Sequence, residues 1–192
     1  MSNRRALLAV FAVSLITACA PMPTEMQLDS PVSSSKNSGM VVGALVGGGP
    51  YGTYLEFRHL ATGKVYGWGA KDYYSAWLPA GEYEVSQLGA RQGVMGPYSA
   101  PLHFDVEQGS INYLGEMIYG CRPPSRPAAL YGVKYCGFLA LGTCTVSYPS
   151  VGICVVDRKE QAVRTFLIQH PDYASMPVRP AVMSSGEMRG SR

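Results

Sequence analysis

Cysteine and histidine are the residue types most able to do chemistry in this chain. Four of the five cysteines, Cys121, Cys136, Cys144 and Cys154, fall close together, while Cys19 stands far from them near the N-terminus. A zinc site usually brings two cysteines together in a Cys-x-x-Cys turn. No such turn occurs here, since the four are 15, 8 and 10 residues apart. In an exported chain an even set reads instead as two disulfides, with three pairings open. Residues 143–148 and 151–157 read as two strands around Pro149-Ser150. A turn centred near residue 149 would place Cys144 opposite Cys154, within disulfide reach across an antiparallel pair. The expected bridges are therefore Cys144 to Cys154 and Cys121 to Cys136.

The histidines offer less. His103 occupies an outward strand position, His170 ends a helical stretch before Pro171, and His59 has no histidine or carboxylate at ligand spacing. Serines and aspartates occur without a nucleophile elbow or an ordered triad. Gly47-Gly48-Gly49-Pro50 lacks the Lys-Ser/Thr and the following helix of a phosphate loop, and reads as a turn. No catalytic residue, metal or cofactor is expected, and the chain does not read as an enzyme. The remaining chemical feature is aromatic: Tyr66, Trp68, Tyr73, Tyr74 and Trp77 crowd one short stretch. Exposed, they would offer stacking surfaces to sugar rings, with Lys71 and Asp72 as hydrogen-bonding neighbours. Buried, they would fill a core, which is the leading reading because Tyr and Trp favour strands.

The elements that must position these residues are strands. Glycine (22), proline (14) and tyrosine (13) are plentiful among the 192 residues, which favours short strands and turns. The apolar fraction of 47% is enough for a core, and the charged fraction of 15% is too low for a charged disordered chain. Leu55 and Phe57 alternate with Glu56 and Arg58. Tyr83 and Val85 alternate with Glu82 and Glu84. Leu102, Phe104 and Val106 alternate with His103, Asp105 and Glu107. Turns fall at Ala61-Thr62-Gly63-Lys64 and Gln108-Gly109-Ser110, and residues 111–118 resume as a strand. Period two with regular turns predicts an all-β, antiparallel sandwich or barrel. The one helix expected covers residues 158–169, with Ala162, Val163, Phe166 and Leu167 on one face, Asp157 as N-cap and His170-Pro171 as its end.

The N-terminus carries an address. Arg4 and Arg5 precede an apolar run over residues 6–16, shorter than the roughly 20 residues that span a bilayer. This is the layout of a secretory signal. Ile16-Thr17-Ala18-Cys19 resembles the lipobox of bacterial lipoproteins. The resemblance implies cleavage after residue 18, diacylglycerol on the Cys19 sulfur, and an acylated, palmitate-bearing N-terminus anchored in a bilayer. Ala20, in place of Asp, resembles the sorting pattern for the outer membrane. Removal of Arg4 and Arg5 leaves 14 basic against 13 acidic residues, which gives no electrostatic case for nucleic acid. Pro21, Pro23, Pro31, Ser33, Ser34 and Ser35 mark a flexible tether.

A second resemblance concerns the fold. Trp77-Leu78-Pro79-Ala80-Gly81-Glu82-Tyr83-Glu84-Val85 looks like a hairpin of prealbumin-like and carboxypeptidase regulatory-like sandwich domains, and residues 104–115 look like the next hairpin. Pro79 presets φ, Gly81 can take positive φ, and Tyr83 is expected to point inward. The expected organisation is a signal peptide over 1–18 and a lipidated Cys19 with tether over 19–38. A prealbumin-like β-sandwich follows over 39–120, a disulfide-rich hairpin extension over 121–157, and a short helix with a frayed tail over 158–192. The leading functional expectation is an envelope lipoprotein, lipid-anchored at the outer membrane, that acts as a non-catalytic scaffold or protein-interaction module. The alternative is a lipoprotein that binds peptidoglycan or surface glycan through the aromatic cluster. Burial of that cluster separates the two.

Overall fold

The computed structural model describes residues 36–46, 54–69, 73–90, 93–95, 101–121, 126–137 and 141–185. The signal, Cys19, most of the tether, Gly47 to Pro50, Lys71 and Asp72 lie outside the described residues, as does the side chain of Trp68. Among the described residues strands dominate, with one short α-helix and two disulfides.

β1 (Ser38–Val46) is buried along nearly its whole length. Its run of Met40, Val41, Val42, Ala44 and Leu45 suits a strand covered on both faces. It pairs antiparallel with β4 (Tyr73–Pro79) and parallel with β8 (Ile111–Tyr119), Met40 lying opposite Ile111. The parallel pair departs from the purely antiparallel expectation. A second group joins β2 (Tyr54–His59) to β3 (Val65–Gly69) and to β5 (Gly81–Ala90), and β5 to β7 (Leu102–Val106). The groups are linked through β6 (Gly93–Met95), β9 (Arg126–Cys136) and β10 (Gly142–Val156): β5 pairs β6, β6 pairs β9, β9 pairs β10, and β10 pairs β8.

Both groups send side chains into one core. Val41, Tyr74, Ala76, Leu78, Leu114 and Met117 come from the first, and Leu55, Phe57, Tyr83, Val85, Leu88, Phe104 and Val106 from the second. The alternation of Leu55 with Arg58 and of Phe104 with Asp105 is reproduced. Glu84 departs from it. It is buried, and the ion pair with Arg58 directly opposite on β2 compensates the buried charge.

The two expected hairpins are instead crossovers between the groups. β4 pairs with β1 while β5 pairs with β2 and β7, so Pro79-Ala80-Gly81 carries the chain from one group to the other. The buried Tyr83 hydroxyl donates to the Pro79 carbonyl at 2.7 Å, tying the corner to the strand that follows it. Gly81 has φ of 143°, and a Cβ there would come 2.4 Å from His59 Nε2, so only glycine fits. The second crossover, between β7 and β8, closes on Asn112. Its side-chain oxygen accepts from the Glu107 N–H at 3.0 Å, and its amide donates to the Glu107 carbonyl at 3.0 Å and the Ser110 carbonyl at 3.1 Å. Asn112 is fully buried, so these bonds replace its lost hydration.

The disulfide pairing differs from expectation. Cys121 bonds Cys154, and Cys136 bonds Cys144. The cause is the position of the turn. β10 runs through Pro149-Ser150 as one strand, with a register shift between Tyr148 and Val151, and the hairpin turns between Cys136 and Gly142. Proline lacks the N–H of a ladder bond and is accommodated where a bulge interrupts the ladder. Gly137, with φ of 80°, starts the turn instead. Cys144 thereby falls next to Cys136 at the hairpin end, and Cys154, opposite Ile118 on β8, meets Cys121 just beyond that strand. Peptide mapping without reduction is expected to recover these two links. Removal of the Cys121–Cys154 bridge should cost about 2–4 kcal/mol, and about 1 kcal/mol more than removal of Cys136–Cys144, because it closes the longer loop. Equal unfolding midpoints for the two double-serine variants would contradict this ordering.

Helix α1 (Lys159–Gln169) lies over the outer face of β1, β4 and β8. Phe166 packs with Met40, Val42, Trp77 and Ile111, and Ala162 and Val163 pack with Tyr113. The predicted face is the buried one. Asp157 accepts from the Lys159 N–H at 3.0 Å, while Arg158 holds the N-cap position. His170 ends the helix, its N–H donating to the Phe166 carbonyl at 2.9 Å. From Tyr173 to Ser185 the chain does not fray as expected, and the rest of the tail lies outside the described residues. β11 (Val178–Pro180) adds parallel to the first residues of β8, and β12 (Ser184–Ser185) pairs with β7. Met183, between them, is buried in the core shared by the two groups. One edge of β8 is thus divided, β11 covering its start and β10 its end. The start of β1 therefore lies at one end of β8, and the hairpin end of β9 and β10 extends past the other.

Candidate functional site

The five aromatic residues singled out in the sequence do not share a surface. Along β4, Tyr74 faces the main core while Tyr73 and Trp77 face the helix side. The alternation of a strand separates adjacent residues onto opposite faces. Tyr74 meets Phe57 edge-on at 6.4 Å. Tyr66, on β3, lies 6.1 Å from the Tyr83 ring, with Lys64 Nζ 5.1 Å from its own centroid. Trp77 meets Tyr173 edge-on at 6.0 Å. Tyr66, Tyr74 and Trp77 are buried and Tyr73 is half-buried, so none of these four lies on an open stacking platform. Burial raises the pKa of the Tyr66, Tyr74, Tyr83, Tyr113 and Tyr119 hydroxyls, because the phenolate would lose its hydration.

The other predicted residues are placed as follows. His59 is buried, its Nδ1 accepting from the Thr62 N–H at 3.2 Å and its Nε2 3.4 Å from the Ala80 carbonyl, so it braces the Gly81 corner. His103 sits half-exposed on β7, and His170 stands 5.1 Å from the Phe166 ring. The four disulfide cysteines lie at the ends of the hairpin and of β8. Among the described residues, no three His, Cys, Asp or Glu side chains gather where they could hold a metal ion. Among the same residues no helix is long and apolar enough to cross a membrane.

A shallow groove of about 530 Å³ lies beside helix α1. Val163, Leu167, Ile168 and Val178 supply apolar walls, and Lys159, Glu160 and Arg164 supply charge. Ile168 is 75% exposed. The groove exists because β11 brings Val178 alongside the helix. Behind the start of the helix, Arg158 pairs with the buried Glu116 at 3.3 Å, and its N–H donates to the Tyr113 hydroxyl at 2.8 Å, fixing the helix against β8. The groove offers contact area and mixed charge, and no paired nucleophile and base. Sequence reasoning missed it, because residue 178 was expected in a frayed tail. The available signal was Ile168, an apolar residue lying off the buried stripe of the helix.

Comparison with protein-family models, with curated proteins and with solved structures finds no match for this chain.

Proposed function

We propose that this chain is a lipid-anchored envelope lipoprotein of the outer membrane, acylated at Cys19, whose β domain serves as a non-catalytic scaffold or protein-interaction module. The observation that carries the reading is Ile16-Thr17-Ala18-Cys19 directly after a short basic and apolar leader. That pattern resembles a lipobox, and acylation at two or more positions holds a protein firmly to a bilayer. The domain itself is read as a sandwich, supported by two groups of strands that bury side chains against each other. Its prealbumin likeness rests on the sequence from Leu78 to Tyr83, supported by the positive φ of Gly81 and the inward Tyr83, although the segment crosses between strand groups rather than closing a hairpin. Burial of Tyr66, Tyr74 and Trp77 favours the scaffold reading over glycan binding, since a ring in a core cannot stack on a sugar. In cells that process lipoproteins, Cys19→Ala is expected to abolish acyl labelling and to move the protein out of the membrane fraction. Labelling that persists in the variant, or unchanged fractionation, would overturn the anchor.

A further inference from the structure

Among the described residues, much of the outer edge of β10 has no neighbouring strand. Ile153 has Tyr119 of β8 on one side and Arg126 of β9 on the other, so the two neighbours lie along opposite edges of β10. β9 follows its edge down to Gly142, whereas the pairing with β8 stops at Ile153, extended by a bond from the Gly120 N–H to the Gly152 carbonyl at 2.8 Å. Among the described residues no strand covers the remaining edge of β10. Unpaired strand edges template the addition of another strand, and proteins ordinarily guard them with charges, prolines or bulges. β10 has Pro149 and a register shift beside it, but not one charged residue from Gly142 to Val156. The guarded part starts at Pro149. Residues 142–148 are regular and uncharged, and no described strand covers their outer edge.

We propose that residues 142–148 of β10 form a homodimer interface, at which a second copy of the chain adds its own β10 antiparallel with Thr145 on the two-fold axis. The occupant is argued from self-complementarity. A segment bounded by the turn at Gly142 and the bulge after Tyr148 has Thr145 at its centre. Antiparallel pairing about that centre sets Thr145 against Thr145, Thr143 against Ser147 and Cys144 against Val146. These are small or β-branched residues, and Thr with Thr or Ser is a favourable cross-strand pair. No like charges meet, which an isologous interface requires of every residue near its axis. Leu141, just before the segment, is 83% exposed in the single chain. Thr145 and Ser147 are exposed, so their face is open to a neighbour.

The test uses two differently tagged copies of the full chain, co-expressed with both disulfides formed, with the mass of the captured complex measured. The wild-type copies are expected to co-purify as a pair of chains. Thr145→Lys on both copies, or Thr145→Glu on both, sets like charges face to face and should reduce capture by at least about tenfold. One Thr145→Lys copy with one Thr145→Glu copy should restore it, which a folding defect could not do. No capture of wild type, undiminished capture in the like-charged pairs, no rescue by the mixed pair, or a complex larger than two chains would each overturn the proposal.

Discussion

Phe104→Ala is expected to lower the stability of the folded chain by about 3–5 kcal/mol, the range for truncating a buried aromatic ring. Phe104 sits between two rings, stacked on Tyr83 at 5.4 Å and edge-on to Phe57 at 4.7 Å. It stands opposite Tyr83 in the β5 and β7 ladder, so its loss opens a cavity where the second crossover strand packs. That amount is a large share of the roughly 5–15 kcal/mol by which a domain is stable. Asp105→Ala, one residue along and exposed, should stay within about 0.5 kcal/mol. Urea denaturation of both variants checks the pair. Similar midpoints for the two would contradict the burial of Phe104 in the core.

Alkaline pH should unfold the chain through its buried phenols. Desolvation raises the hydroxyl pKa of Tyr74, Tyr83 and Tyr119 above any ordinary value. For Tyr74 the neighbouring Tyr119 and Tyr113 add to the effect, and for Tyr83 the neighbouring Tyr66 does. Tyr66 and Tyr113 are raised by the same cause, although for Tyr113 the bond from the Arg158 N–H opposes it. An unfolded tyrosine ionises near pH 10. A pKa raised on folding means that the folded chain holds its proton longer, so its stability is full below pH 10 and declines as pH rises beyond it. The urea midpoint is expected to be insensitive to these groups between pH 8 and 9.5 and to fall steeply from pH 10 to 12. Phenolate absorbance should show some tyrosines ionising near pH 10 and a further group only as the fold is lost. Ionisation of all thirteen tyrosines near pH 10 with the fold intact would contradict the burial of these rings.

What was legible in the sequence follows from water. Leu55 and Phe57, and Phe104 and Val106, alternate with residues that face solvent or the rim, so one strand reports its own inner face, and the buried Glu84 between Tyr83 and Val85 is the exception that its pairing with Arg58 explains. The helix was equally readable, because Ala162, Val163, Phe166 and Leu167 repeat at helical spacing. Partner choice was not. The parallel pairing of β1 with β8 joins residues about seventy positions apart, and nothing in the alternation of either strand names the other. The corner at Gly81 and the turn at Gln108 to Ser110 are local, and a local turn looks the same whether it closes a hairpin or crosses between groups of strands. The disulfide pairing inherited this ambiguity from Pro149, which marks a bulge and was read as a turn. The candidate groove was invisible for the same reason. Val178 becomes part of it only by adding to β8, and three tail residues carry no periodicity that would announce it.

The division of β8 gives the molecule a direction. β1 starts beside Ile111, at one end of β8, and β10 leaves the other end and runs on to Gly142. β6 holds β9 near its middle, at Leu130 and Tyr131, so the hairpin end beyond those residues is the part that projects past the sheet. The described chain enters at Ser38 beside one end of β8, and the Cys136–Cys144 staple closes the hairpin that leaves from the other. Whatever holds the N-terminal segment, the staple and Leu141 are carried outward from that point, so the base can be fixed in place while the tip meets what lies at a distance.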